Sequence, residues 1–149
     1  MMMRAWIALF ATLWLAACAS GPYGNFAKPT TPAINQQLAS ATVRQLAVVH
    51  PPASTRLRIN QETPDGYGVS LVSALRASGF SVQEFDPKAQ PAPAPAGTVA
   101  PMPVNYIVDA PKDSELFRVT LLVGRETLSR VYAVQNGRLL AAGAWVRKE

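Results

Sequence analysis

The sequence predicts an α+β domain, with two helices packed on a mainly antiparallel sheet that ends in a β-meander. Three observations predict it. Residues 31–50 carry apolar side chains at helical spacing behind a Thr-Pro start, and residues 63–80 repeat the pattern and stop at a glycine. From Val104 onward the chain alternates apolar and polar residues in short runs separated by turn signals. The resulting order is helix, strand, helix, strand, a proline-rich loop and four strands, which suits one sheet covered by two helices.

Taking the elements in order, Met1 to Arg4 make a short positive start, and Ala5 to Ala17 form an uncharged apolar run of 13 residues. That run is too short to span a bilayer, which takes about 20 apolar residues, and it predicts a signal peptide over residues 1–17. Leu15-Ala16-Ala17-Cys18 matches the bacterial lipobox. It resembles the substrates of the lipoprotein signal peptidase, with Leu15, Ala16 and Ala17 recognised by the peptidase and a diacylglycerol carried on the Cys18 thiol. The alternative is a free thiol in an ordinary signal peptide cut near Ala17-Cys18-Ala19. If lipidated, the three acyl chains of a mature lipoprotein would anchor the chain to a membrane without spanning it. Ala19 stands where inner-membrane lipoproteins usually carry Asp, which by analogy favours the outer membrane, with the domain facing the periplasm.

Residues 18–31 are rich in Gly, Pro, Ser and Thr and read as a lipidated tether, able to reach about 45 Å if fully stretched. Tyr23 and Phe26 stand out within it. Either they fold back on the domain or sit at the lipid interface, or they form a docking peptide for a partner.

The single domain is expected over residues 32–149. Thr31-Pro32 starts the first helix, with Ile34, Leu38, Ala39, Thr42, Val43, Leu46 and Val49 on one side; Pro51-Pro52 end it. Leu57 and Ile59 face inward from a short strand over residues 55–60. A second helix begins near Thr63-Pro64-Asp65 and carries Tyr67, Leu71, Val72, Ala74 and Leu75 on its buried stripe. Gly79 sits where a left-handed cap is needed, with Phe80 as the hydrophobic contact beyond it. A strand over residues 80–86 follows, with Phe80, Val82 and Phe85 inward. Residues 87–103 hold six prolines and read as an extended surface insertion unable to join a sheet, either an inert loop or a ligand for an aromatic groove. Alternation then predicts strands over residues 104–109, 116–123, 127–134 and 139–146. Gly124-Arg125 and Asn136-Gly137 make the turns, the latter a type I′ signal.

Composition excludes several classes. The 149 residues are 49% hydrophobic with one cysteine, so disordered and disulfide-rich chains do not fit, and a net charge of +5 in no long basic block does not imply nucleic acid. No direct nucleic-acid partner, metal or dissociable cofactor is expected. His50, the one histidine, falls at a helix end where it suits a capping role, and a zinc site would have to be completed from scattered carboxylates. Asp109, Asp113 and Glu115 surround a turn and read as solvated. Ser70 and Ser73 lack a Ser-x-x-Lys partner, since Arg76 cannot serve as a base. Gly66-x-Gly68 lacks the context of a dinucleotide site. Nothing converges into a catalytic constellation, and the chain reads as a non-enzyme.

The lipobox, GPYGNF, VVHPPAS, TPDGYG leading into SALRASGFSVQEF, the proline-rich gap and the ending FRVTLLVGRETLSRVYAVQNGRLLAAGAWVRKE together resemble the TrbH conjugal-transfer lipoproteins. The resemblance implies an outer-membrane lipoprotein acting in assembly of a conjugative type IV secretion system. Its partners would be the membrane, through Cys18, and the other mating-pair-formation subunits. The element order is also loosely similar to the small N-terminal domain of secretins, which implies a homo-oligomeric ring. The competing reading is a stand-alone periplasm-facing lipoprotein that binds peptidoglycan, lipid or another envelope ligand.

Overall fold

The computed structural model describes residues 21–89 and 95–149. Leu15, Ala16, Ala17 and Cys18 lie outside the described residues. Two helices cover one face of an eight-stranded mixed sheet, most of whose pairings are antiparallel. Strand β1 is Gly24–Asn25, β2 Arg56–Ile59, β3 Ser81–Gln83, β4 Met102–Asp109 and β5 Leu116–Val123. The last three are β6 Glu126–Gln135, β7 Arg138–Ala141 and β8 Val146–Lys148; helix α1 is Pro32–Val49 and α2 is Gly66–Ala77.

Both helices begin on side-chain caps. Thr31 accepts from the Ile34 N–H at 3.3 Å, and Asp65 accepts from the N–H groups of Tyr67 and Gly68 at 3.1 and 3.0 Å. Helix α2 ends in a Schellman arrangement: Phe80 N–H donates to Leu75 O and Gly79 N–H to Arg76 O, with Gly79 at φ +86° and Phe80 buried beyond it. The expected stripes are buried almost as read. Ile34, Leu38, Val43 and Leu46 of α1 meet Tyr67, Leu71 and Leu75 of α2 over Val104, Tyr106, Val119, Leu121 and Val123 of the sheet.

The path through the sheet is β3-β2-β4-β5-β6-β7. Strands β2, β3 and β4 are mutually parallel, and β4 to β7 form the expected antiparallel meander. Asn136 and Gly137 at φ 51° and 71° make the type I′ turn between β6 and β7.

Four expectations are corrected. Strand β3 covers only Ser81–Gln83, its pairing with β2 stopping at Arg58 opposite Gln83, and Phe85 lies beyond the paired residues and is 40% exposed. The proline-rich segment does not stay out of the sheet: Met102 and Pro103 open β4 beside Leu57 and Arg58. Proline is tolerated near a strand's start, where a ladder N–H is dispensable. The connection from Gln83 to Met102 therefore returns the chain to the end of the sheet where the parallel strand β4 must begin; residues 90–94 lie outside the described residues. The final strand is broken, since β7 and β8 both pair with β6 but five steps from Ala141 to Val146 oppose only three from Tyr132 to Ser129. The extra residues bulge out, and Arg130 Nε holds the bulge by donating to Gly143 O at 2.7 Å. Lastly, the segment read as a tether supplies β1, which pairs parallel with Ile107 and Val108 of β4.

Candidate interaction surface

Strands β1 and β2 lie along the same edge of β4 and leave a gap between them. Asn60 N–H donates to Val104 O at 2.9 Å where β2 ends, and Phe26 N–H donates to Val108 O at 2.7 Å beyond β1. Between these points the Gln61 side chain substitutes for a strand, its Oε1 accepting from Tyr106 N–H at 2.7 Å. Gln61 is 8% exposed, and its Nε2 is buried without a hydrogen-bond partner among the described residues.

This junction floors a groove of about 600 Å³ between residues 21–26 and 60–65. Tyr23, Phe26 and Phe85 supply its apolar wall, and Glu62 and Asp65 its acidic rim. Asn25 locks β1 against the domain, with Nδ2 donating to Asp65 Oδ1 at 3.3 Å and Oδ1 accepting from Ala27 N–H at 3.1 Å. Tyr23 and Phe26 are 38% and 55% exposed. The structure thus brings the two sequence-predicted aromatics to one groove, presented from a backbone fixed to the sheet. Exposed rings on a fixed backbone are suited to contact with another molecule, since little side-chain entropy is lost on binding.

The pattern reading missed Gln61 and Phe85. Phe85 was expected inward, and a lone glutamine after a strand carries no local signal of its role as a stand-in for a neighbouring strand.

The other candidates are committed elsewhere. His50 is the C-cap residue of α1, and its Nε2 lies 3.3 Å from Glu126 Oε2 of β6. Arg147 Nη2 donates to Glu126 Oε1 at 2.8 Å, and that bond, with the charges of Arg147 and His50, holds the carboxyl below its ordinary range. Ser70 Oγ donates to Gly66 O at 2.7 Å. Asp109 accepts from Arg118 Nε at 2.9 Å, which raises the guanidinium's pKa, and Glu115 stands 3.9 Å from Lys28. Among the described residues no group of three or more His, Cys, Asp or Glu could hold a metal ion, and no helix is long and apolar enough to cross a membrane.

Fold and surface together define a small two-layer α+β domain with two exposed aromatic residues at one groove. The chain belongs to the TrbH family: the family model described as conjugal transfer protein TrbH matches residues 20–149. Neither a curated protein nor a solved structure matches it.

Proposed function

We propose that this conjugal transfer protein is an outer-membrane lipoprotein, anchored by diacylglycerol on Cys18, that acts as a non-enzymatic assembly component of a conjugative type IV secretion system. Family membership over residues 20–149 is the observation that carries the reading. The lipobox Leu15-Ala16-Ala17-Cys18 supports the anchor, and Ala19 after it supports the outer membrane.

Pairing of Gly24 with β4 shortens the link between lipid and domain. Only six residue steps separate Cys18 from Gly24, a span of about 20 Å at full stretch, so the anchored domain rides close to the bilayer. Tyr23 and Phe26 then face a partner subunit near the membrane surface.

Affinity isolation of the tagged, detergent-extracted protein from cells carrying its operon, with mass identification of what accompanies it, tests the reading. Transfer-system subunits should come with the wild type in stoichiometric amounts and be lost from a Tyr23→Ala, Phe26→Ala variant. Isolation of the protein alone from wild-type cells would refute the assembly role.

A further inference from the structure

A second cleft, of about 620 Å³, lies between α1 and strands β6 and β7, remote in the chain from the Tyr23–Phe26 groove. Arg44 of α1 and Arg130 of β6 line it, with Tyr132 alongside. The register explains why Arg130 is there. It pairs with Val119, which is fully buried, so on alternation Arg130 points to the helix-covered face where its neighbours Leu128 and Tyr132 are core residues.

An arginine on the inner face of a strand needs a reason. Its guanidinium carbon stands 5.5 Å from the Tyr132 ring centroid and 5.9 Å from that of Trp145, and its Nε is used by Gly143 O. The terminal nitrogens make no ion pair: among the described residues neither Arg44 nor Arg130 lies within salt-bridge distance of a carboxylate. Tyr132 is 3% exposed, and its buried hydroxyl has no acceptor for its proton among the described residues, a guanidinium being able only to donate. A buried donor left unmatched is destabilising, so this hydroxyl is a second, independent sign of an absent acceptor. Burial pushes the phenol's pKa up, and Arg130, by its charge and by hydrogen bonding, and Arg44, by its charge, pull it back.

The strand edge at the cleft narrows the choice of ligand. Gln135 and Arg138 flank a two-residue turn, so they form a hydrogen-bonded pair, and Leu139 and Ala141 must direct their N–H groups away from β6. The Leu139 N–H is taken by Gln37 Oε1 of α1 at 2.9 Å, whereas Ala141 lines the cleft itself. An extended peptide whose carboxylate meets the arginines can also accept the Ala141 N–H on a backbone carbonyl, a two-point contact along the strand edge.

We infer that this cleft binds the carboxylate of a partner polypeptide, gripped by the Arg44 and Arg130 guanidiniums and the Tyr132 hydroxyl, with the adjoining backbone beside Ala141. Arginine forks match a planar carboxylate, and the phenol supplies a third donor. The site is independent of the Tyr23–Phe26 groove and does not require that groove to dock anything.

The test is fluorescence anisotropy of the detergent-purified full chain with fluorescein-labelled Gly-Ser-Ala-Val-Ala. The peptide is supplied as the free acid, as the C-terminal amide, and as an amide with glutamate in place of the central alanine. The free acid should bind, and amidation should weaken it about tenfold, the loss of one charge-assisted hydrogen bond. Restored binding by the glutamate amide would assign the ligand as an acidic side chain; its failure would assign a chain terminus. Arg44→Gln and Tyr132→Phe should each weaken the free acid by a similar factor. Tyr132→Phe should melt no lower than wild type, since it removes a buried hydroxyl whose proton has no acceptor, and this separates binding from folding. Equal binding of the free acid and both amides, no binding of any peptide, or unchanged binding in both variants would overturn the inference. Displacement of the free acid by inorganic phosphate at equal concentration would overturn the peptide ligand in favour of a phosphate site.

Discussion

The Tyr106 hydroxyl donates to Oδ2 of Asp65, joining the centre of β4 to the N-cap of α2. The other oxygen of the same carboxylate caps Tyr67 and Gly68, while the Tyr106 and Tyr67 rings meet edge to face at 5.2 Å. Tyr67 continues the chain of bonds by donating to Thr42 Oγ1 of α1 at 3.1 Å, and Thr42 donates in turn to Leu38 O at 2.9 Å. Both phenols are pushed far above their ordinary range, by burial first and, at Tyr106, then by the bond to Asp65 and its charge. One carboxylate therefore orders both layers of the domain.

Asp65→Ala should destabilise the domain by about 2–4 kcal/mol, since it removes an N-cap worth about 1 and orphans a buried donor at about 1–3. Urea unfolding measures it. In a double-mutant cycle with Tyr106→Phe the two losses should fall well short of additive, because they share one bond. Additivity would mean the bond contributes nothing.

Gly68 is required by close approach. A Cβ there would collide with the Tyr106 hydroxyl and crowd Thr63 at 2.9 Å, so Gly68→Ala should cost about 1–3 kcal/mol despite alanine's better helix propensity. Combining it with Tyr106→Phe should recover part of the loss, read as a rise in melting temperature over Gly68→Ala alone.

Gln61→Leu keeps the volume at the β2–β1 junction but removes the acceptor of the Tyr106 N–H. Native-state hydrogen exchange at Tyr106 should quicken about tenfold or more, in line with a buried amide left unpaired. The amide of Val119, deep in the meander, should change far less.

Glu126 links three elements: its own strand β6, the end of α1 through His50, and β8 through Arg147. Its folded pKa lies below its ordinary value, mainly through the Arg147 hydrogen bond. The sign follows from linkage. Its contribution is fully present above the unfolded carboxylate value of about 4.3 and is lost as pH falls through the lower folded value. Glu126→Gln should flatten stability against pH in that acidic window. An unchanged acid limb would show that the pair does not contribute.

Local signals made much of this fold legible. Thr31-Pro32, Gly79-Phe80 and Asn136-Gly137 each fix backbone geometry within a few residues, and the apolar stripes of α1, α2 and the meander follow from period alone. Partner identity does not. Nothing local in Leu57-Arg58-Ile59 says that this strand pairs parallel with Met102–Val104, or that Gly24 and Asn25 complete the same edge. The broken final strand was equally hidden, because its bulge depends on Arg130 reaching Gly143 from the neighbouring strand. Of the interaction surface, Tyr23 and Phe26 were visible as aromatics in a polar segment. Gln61, Phe85 and the Arg44–Arg130–Tyr132 cleft emerge only when distant segments are brought together.

Cys18→Ser in donor cells lacking any other copy of the chain decides whether a lipid anchor is needed for assembly of the conjugation apparatus. Transfer frequency and membrane fractionation are read together, with protein levels matched by immunoblot. The variant protein should no longer be processed as a lipoprotein and should leave the outer-membrane fraction, and transfer should fall steeply while the wild-type chain restores it. Undiminished transfer by an unlipidated protein would show that the anchor is dispensable and overturn the lipoprotein role.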